Sequence, residues 1–327
     1  MTRAIVPHIL NSVTRRDLLH AAAAAALPAR TLLAKASQPA TPLNFPIPPQ
    51  ACDCHTHIIG DPKQFPFSPG RTYTPEAALP DEMSALHRTL HMERVVIVTP
   101  SVYGPDNAAT LYGMKARGAT ARGVAVIDEK TSAPYLDAMN RAGIRGIRLN
   151  LASAGQTDLT LARRAFTDAI GRVASLKWHI QMYTDLSVIA GIRQLVETTP
   201  VPVVFDHFGG AQAARGSQQP GFSELLALVH SGKAWVKISG AYRASAIAPD
   251  YPDVLPLAKA LIAANPDRII WGSDWPHPGP AVGKATDFAP FQPIDDGRLL
   301  NQLAVWAPDP VVRKKILVEN PARLYGF

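Results

Sequence analysis

Cysteine is scarce in this sequence, with 2 residues among 327, and no apolar stretch approaches the roughly 20 residues that cross a bilayer. Two cysteines cannot supply the disulfide framework of a small secreted scaffold, so the fold must rest on a hydrophobic core. A chain of this length can bury roughly three quarters of its unfolded surface, which is enough for such a core. The 47% hydrophobic content also excludes a disordered chain.

The excess of positive charge is small outside the N-terminal segment. The formal net charge is +7, of which residues 1–36 carry +4, and the rest of the chain carries +3. So small an excess of basic residues is weak evidence for nucleic-acid binding. The composition therefore favours a small-molecule partner over a nucleic acid.

Residues 1–36 are predicted to be a twin-arginine export signal. Arg15 and Arg16 precede an Ala-rich apolar stretch that ends near Leu27, and a small-x-small cleavage site closes the segment. The apolar stretch is too short to span a membrane, so we expect no stable membrane anchor after cleavage. These features predict a mature protein in the bacterial periplasm, beginning near Ser37.

Residues 37–50 are rich in Pro, Ser and Gln and are predicted to be a linker, followed by one domain over 51–327. In that domain, short β-branched runs alternate with helical ones. The runs are Ala51–Ile58, Arg94–Thr99, Gly123–Ile127, Gly146–Asn150, His179–Tyr183, Val201–His207, Ala234–Ser239 and Arg268–Gly272. Eight βα units predict an α/β fold, a single-domain (β/α)8 TIM barrel. A doubly wound sheet is the alternative, but no G-x-G-x-x-G follows the first run.

Polar side chains recur at the carboxyl ends of these runs, where a TIM barrel builds its active site. His55 and His57 lie two residues apart in the first run, so strand alternation points both into the barrel mouth. The later runs end in or near Arg148, Tyr183, His207, Arg243 and Asp274. We therefore expect these side chains to converge on one site.

Three segments resemble the amidohydrolase superfamily, in its amidohydrolase-related branch. They are Asp-Cys-His-Thr-His at 53–57, Asp-His-Phe-Gly at 206–209 and Trp-Gly-Ser-Asp-Trp-Pro-His-Pro at 271–278. Three further segments, 65–75, 145–150 and 319–325, are similar to the 2-pyrone-4,6-dicarboxylate lactonases, and the resemblance covers 47–327. It implies a hydrolase that opens a carboxylate-bearing lactone by base-assisted attack of water.

Asp274 is the expected general base, because ester hydrolysis needs a group that deprotonates water. We expect burial to raise the pKa of Asp274 and so to strengthen it as a base. His55, His57 and His207 are expected to polarise the carbonyl as hydrogen-bond donors.

Arg148 and Arg243 are the expected substrate-binding cations, because a guanidinium matches a carboxylate bidentately. The resemblance implies that Tyr73 and Tyr183 also contact substrate. The segment 150–155 lacks the further arginine that the pyrone-dicarboxylate lactonases carry there. A monocarboxylate or sugar-acid lactone is therefore favoured over a dicarboxylate.

A single metal site is also conceivable, since His55, His57 and Asp274 offer the nitrogen and oxygen ligands of one Zn²⁺. A cation at Arg148 would repel a divalent metal but attract an anionic substrate. The lactonases that the sequence resembles work without a metal. We therefore favour a site with no cofactor, with one Zn²⁺ as the alternative.

The same pattern of residues allows other functions. The same family contains lactone isomerases and metal-dependent amidohydrolases or decarboxylases, and a non-catalytic periplasmic solute binder is a second alternative. A binder has no use for an acid–base aspartate beside three histidines. Strand alternation predicts that Cys54 and Asp206 face away from the site. His277 follows Asp274 in a loop bracketed by prolines, where it is expected only to orient Asp274.

Overall fold

The computed structural model describes residues 36–281 and 283–327, and it forms the predicted α/β barrel. Eight parallel strands pair in chain order. They are β1 (Cys52–Thr56), β2 (Arg94–Val98), β3 (Ala121–Ala125), β4 (Ile144–Asn150), β5 (His179–Tyr183), β6 (Val203–Phe205), β7 (Ala234–Ser239) and β8 (Ile269–Gly272). Each lies within or beside one of the runs expected from the sequence, so the TIM-barrel prediction is confirmed.

Helices follow the strands and surround the sheet. They are α1 (Pro80–Thr89), α2 (Ala108–Arg117), α3 (Ala133–Ala142), α4 (Leu159–Val173), α5 (Leu186–Thr198), α6 (Phe222–His230), α7 (Leu255–Ala264), α8 (Asp296–Trp306), α9 (Pro310–Lys314) and α10 (Asn320–Tyr325). A one-turn helix, Ala241–Ala244, follows β7, and Lys315–Glu319 is a π-helical turn. Two short strands, Thr74–Pro75 and Phe288–Ala289, pair with each other outside the barrel.

Aspartates fix where several helices begin. Asp158 accepts hydrogen bonds from two backbone N–H groups at the start of α4, and Asp185 accepts one at the start of α5. Asp295 does the same for α8, which begins at Asp296. Such side chains satisfy N–H groups that have no partner within the helix.

Alternation along the strands divides the core into two parts. In β2, Val95 and Ile97 pack in the large cluster between sheet and helices. Val96 and Val98 instead pack with side chains of strands across the barrel. Both faces of the sheet are therefore covered, as expected for a parallel barrel.

Two main-chain hydrogen bonds join β1 to the loop after β8. The Asp274 N–H donates to the His55 carbonyl at 2.8 Å, and the His57 N–H donates to the Trp275 carbonyl at 2.9 Å. Between Asp53 and Thr56 the pairing of β1 with β2 shifts register. The closing seam of the barrel thus carries His55, His57 and Asp274 of the expected site.

The segment expected to be a linker has no helix or strand and lies against the barrel. The indole N–H of Trp275 donates to the Ser37 carbonyl, and Asp295 accepts from the Thr41 N–H. The predicted export signal lies outside the described residues, apart from Ala36. Among the residues that are described, no helix has both the length and the apolar character needed to cross a membrane.

Candidate active site

A cavity of about 280 Å³ opens at the carboxyl ends of the strands. Five of the residues singled out from the sequence line it, namely His57, Tyr73, Arg148, Tyr183 and Arg243. The rest of its wall includes hydroxyl and amide groups from Thr72, Ser101, Ser153 and Gln292. The structure therefore brings the predicted substrate-binding residues together around one space.

Three histidines and one aspartate meet beside this cavity. The Nε2 atoms of His55, His57 and His207 lie 3.6, 3.7 and 3.8 Å from Oδ1 of Asp274. All four side chains are buried, and only His57 lines the cavity. Asp274 Oδ1 and His55 Nε2 have no hydrogen-bond partner among the described residues. These atoms therefore point at a common space that can receive a reactant.

The second carboxylate oxygen of Asp274 is firmly held. Arg243 Nε and the Tyr242 hydroxyl each donate to Oδ2 at 2.5 Å. Burial by itself would raise the pKa of Asp274, but attraction to Arg243 and His207 holds that pKa well below its usual range. The expectation of a raised pKa is therefore wrong, because the neighbouring cation outweighs desolvation.

A second buried carboxylate, that of Asp206, lies next to His55. Asp206 Oδ2 accepts from Arg148 Nε and Gln181 Nε2, both at 3.0 Å, and its Oδ1 lies 3.5 Å from the Lys237 ammonium. Burial opposes ionisation, but Lys237 and His55 hold the pKa of Asp206 well below its usual range. The Asp206 carboxylate thus holds Arg148, one of the residues that line the cavity.

Hydrogen bonds indicate where the histidine protons lie. His57 Nδ1 is 2.7 Å from the Val98 carbonyl, which only accepts, so the neutral ring keeps its proton on Nδ1 and its Nε2 accepts. In that form His57 accepts at Nε2, whereas the sequence led to the expectation of a donor there. His55 Nδ1 lies 3.3 Å from Lys237 Nζ, and a Lys237 ammonium that donates there leaves the His55 proton on Nε2, whereas a hydrogen bond to Asp206 places that proton on Nδ1. Asp206 Oδ1 also lies 3.3 Å from that Nδ1.

Burial keeps two of these imidazoles uncharged. It lowers the pKa of His207 to about 4, and it lowers the pKa of His55 well below its usual range, with Lys237 adding to the effect. His207 Nδ1 is 2.9 Å from the Ser239 hydroxyl, which fixes the plane of its ring. Both rings are therefore neutral at pH 7.

Strained backbone concentrates at this site. His207, Asp274 and His277 are non-glycine residues with φ of 49°, 69° and 61°. Such left-handed conformations cost of order 1–3 kcal/mol each and persist only where the surroundings impose them. Their clustering supports a functional role for the ends of β6 and β8.

The same irregularities explain two incorrect predictions of side-chain direction. Asp206 faces the barrel interior, in phase with Val204, and the turn at His207 brings the next side chain to the site as well. The register shift in β1 likewise places both Cys54 and His55 inside the barrel, with Cys54 among the interior valines.

The guanidinium groups of Arg148 and Arg243 flank one aromatic ring. Their central carbons lie 5.0 and 6.0 Å from the ring centre of Tyr183. This contact places the two cations side by side at the cavity wall. Tyr73 lies near both arginines, and its burial raises its pKa.

Sequence reasoning missed several residues that hold these groups. They are Gln181, Tyr242 and Asp296. The sequence also assigned no role in the site to Lys237 or Asp206. Lys237 lies two residues after Trp235 in β7, so alternation alone could have placed it inside the barrel. Tyr242 and Asp296 lie outside the strands, where no periodicity indicates direction.

Two groups of side chains have the composition of a metal site. His55, His57 and Asp274 form one, and His55, Asp206 and His207 form the other, with the ligand atoms of each within 4.8 Å of one another. The first is the set predicted from the sequence. The described residues can thus offer ligands to one metal ion.

Fold and site together define a TIM-barrel hydrolase whose chemistry centres on histidine and aspartate. The chain belongs to the amidohydrolase family, whose family model, Amidohydrolase, matches residues 52–327. The family resemblance predicted from the sequence is thereby confirmed.

Three curated relatives are similar over most of their length. A 4-sulfomuconolactone hydrolase of Rhizobium radiobacter is 36% identical over 288 residues, covering 87% of this chain and 93% of its own. A 2-pyrone-4,6-dicarboxylate hydrolase of Comamonas testosteroni is 33% identical, covering 86% and 92%. A D-galactarolactone isomerase of Agrobacterium fabrum is 28% identical, covering 83% and 88%. All three names describe enzymes that act on lactones.

Proposed function

We propose that this protein hydrolyses a lactone that carries one carboxylate. The observation that carries the proposal is the pair of guanidinium groups on Tyr183, which line the cavity beside the Asp274 carboxylate. A guanidinium pair binds an anionic group, and the adjacent carboxylate accepts a proton from water. The names of the relatives support the hydrolysis of a lactone.

Charge balance favours one anionic group on the substrate. The described site contains the cations Arg148, Lys237 and Arg243 but only two ionised carboxylates, Asp206 and Asp274, which leaves one positive charge in excess. The remaining cavity wall offers neutral hydroxyl and amide groups. A monocarboxylate lactone with hydroxyl substituents fits this wall better than a dianion.

The attacking water is held by two acceptors. His57 Nε2 and Asp274 Oδ1 lie 3.7 Å apart, and each accepts one hydrogen of a water placed between them. Asp274 takes one proton as the oxygen attacks the lactone carbonyl, and it returns that proton to the ring oxygen as the ring C–O bond breaks in the following step. The Nε2–H of His55 and the terminal N–H groups of Arg243 stabilise the oxyanion.

Substrate binding also strengthens the base. Arg243 is the main group that keeps the pKa of Asp274 low. An anionic group bound to the same guanidinium offsets part of its positive charge, so the proton affinity of Asp274 rises when substrate is present. This coupling suits a base that is a weak acceptor in the empty site.

We propose that the reaction needs no metal and that Lys237 donates to His55 Nδ1, so that the His55 proton lies on Nε2, the atom that would ligate an ion. If that proton moved to Nδ1, toward Asp206, then His55, His57 and Asp274 would hold one Zn²⁺, which would polarise the carbonyl. Elemental analysis of the purified protein decides the matter. One zinc per chain would contradict the metal-free proposal.

Product analysis tests the proposed activity. The protein is incubated with 4-sulfomuconolactone, 2-pyrone-4,6-dicarboxylate and D-galactarolactone, and the products are identified by NMR. A ring-opened acid from any of them supports hydrolysis. A lactone with a shifted ring bond would indicate an isomerase, and tight binding without turnover would indicate a solute binder.

We also propose export to the periplasm through the twin-arginine route, on the basis of Arg15, Arg16 and the apolar stretch that follows. Mass spectrometry of the protein from a periplasmic extract should find an N-terminus near Ser37. Substitution of both arginines by lysine should leave the uncleaved chain in the cytoplasm, whereas unchanged export would contradict the proposal.

A further inference from the structure

Three side chains form a hydrogen-bonded chain behind Asp274. The Tyr242 hydroxyl donates to Asp274 Oδ2 at 2.5 Å, and its oxygen lies 3.3 Å from His277 Nδ1. His277 Nε2 lies 3.0 and 3.1 Å from the two carboxylate oxygens of Asp296. None of the three side chains is among the residues that line the cavity.

The chemistry of these groups sets the direction of the chain. Asp274 is ionised, so the Tyr242 proton must point to Oδ2. Asp296 accepts from His277 Nε2, since a carboxylate facing an imidazole N–H is a charge-assisted pair. The oxygen of the Tyr242 hydroxyl can then only accept from His277 Nδ1, 3.3 Å away, so the chain is continuous when the imidazole carries a proton on Nδ1 as well as on Nε2. In that form the imidazole holds the hydroxyl from behind and is itself held by the buried Asp296 carboxylate.

The fold leaves these groups little freedom. His277 and Asp296 are fully buried, and the rings of Tyr242 and His277 pack edge to face with centres 5.4 Å apart. Asp296 is the first residue of α8, whose start is fixed by Asp295. The side chains of Tyr242 and His277 thus connect Asp296, at the start of α8, with Asp274.

We propose that Tyr242, held by the His277–Asp296 pair, is a positioning residue for the Asp274 base. Oδ2 is shared between Tyr242 and Arg243, and Arg243 is also the group that receives the substrate anion. Tyr242 contacts no substrate, so it keeps Oδ1 turned toward the histidines while Arg243 adjusts. The proposal rests on the proposed function, because it assigns a support to the base of that reaction.

A double-mutant cycle tests this support on whichever lactone of the panel is hydrolysed. Tyr242→Phe removes only the hydroxyl and should lower kcat about 10- to 100-fold, the effect of losing a hydrogen bond to a charged group. KM should stay within about twofold, because the substrate contacts are intact. Asp296→Asn should lower kcat by a smaller factor, and it should have no further effect when Phe is already present at position 242.

Tyr251→Phe is the matched control, because Tyr251 is buried outside the cavity and should leave both constants unchanged. Unchanged kcat in Tyr242→Phe would overturn the proposal. So would equal losses from Asp296→Asn in the two backgrounds, since Asp296 would then act independently of Tyr242.

A readout without substrate separates this inference from the proposed function. The proton between Tyr242 and Asp274 should give a far-downfield resonance in the ¹H NMR spectrum of the full protein. Tyr242→Phe should abolish it, Asp296→Asn should shift it, and Tyr251→Phe should leave it in place. A resonance unaffected by Asp296→Asn would overturn the chain even if no lactone of the panel is hydrolysed.

Discussion

At the scale of single residues, the two buried carboxylates divide their work by the cations that face them. Asp206 Oδ2 accepts from Arg148 and from the Gln181 amide, and its Oδ1 faces the Lys237 ammonium. Both oxygens therefore face cations or donors of the protein. In Asp274, Oδ2 accepts from Arg243, and Oδ1 faces the histidines. This difference makes Asp274, and not Asp206, the residue suited to accept a proton.

The two arginines should therefore respond differently to substitution. Arg148→Met removes a substrate contact while Asp206 retains Lys237 and Gln181, so KM for a carboxylate-bearing lactone should rise about 10- to 100-fold. A neutral lactone of the same ring size should lose much less affinity. Steady-state kinetics on both lactones measures the difference.

Arg243→Met should raise KM for the carboxylate-bearing lactone and should also lower kcat for both lactones by about tenfold or more, because Arg243 holds the base as well as the substrate anion. Equal KM effects of Arg148→Met on the charged and the neutral lactone would contradict a carboxylate-binding role for Arg148. It would then act only through Asp206.

At the scale of elements, the residues at the end of each strand and just after it matter more for the site than the middle of the strand does. The eight strands and their order follow from alternation and length, and the sequence predicted them. The irregular ends did not follow, because a register shift in β1 and a left-handed turn at His207 change which side chains face inward. Periodic reasoning therefore found the histidines of the site but assigned the wrong face to Asp206.

The side chains behind the base show a second limit of sequence reasoning. Tyr242 and Asp296 are brought toward Asp274 by contacts between residues 19 or more positions apart. His277 was expected to orient Asp274, and in the structure its ring reaches the Asp274 side chain through the Tyr242 hydroxyl. Such an arrangement depends on tertiary packing, which a single sequence does not reveal.

Gly272 allows the seam between β8 and β1 to close. A Cβ at this position would lie 2.6 Å from the His55 Cβ and 2.8 Å from the His55 backbone nitrogen. Because backbone atoms cannot move aside by rotamer change, Gly272→Ala should destabilise the protein by about 1–3 kcal/mol and reduce activity by displacing His55.

Gly171→Ala is the matched control for that substitution. Gly171 lies within α4 with open space around it, so the added methyl should stabilise the protein by about 0.5–1 kcal/mol without changing kcat. Urea denaturation and kinetics on both variants test the contrast. Equal stability of Gly272→Ala and the parent protein would contradict the close approach at the seam.

At the scale of the whole molecule, stability should depend on pH through buried histidines. Burial lowers the pKa of His179 to about 3, against 6.5 for an unperturbed histidine. Between these values the unfolded chain binds a proton that the folded chain does not, so this stabilisation is complete above about pH 6.5 and is lost as pH falls. His179 packs against the Tyr325 ring, away from the proposed base.

The free energy of unfolding should therefore fall by about 2 kcal/mol between pH 7 and pH 5 on account of His179 alone. His179→Gln should reduce the difference between the two pH values by that amount, whatever its absolute stability. Urea denaturation at pH 7 and pH 5 measures it. The same difference in both proteins would show that His179 binds a proton equally in the folded and unfolded states.

The central claim is that Asp274 acts as the general base in lactone hydrolysis, and turnover of the Asp274→Asn variant tests it most directly. With the substrate identified by product analysis, the variant should lose at least about 100-fold in kcat, because general-base catalysis contributes roughly 10²–10⁴. Asp250→Asn, at an exposed ion pair with Arg298, should keep full activity. An Asp274→Asn variant that folds normally and opens the lactone at close to the parent rate would contradict the account.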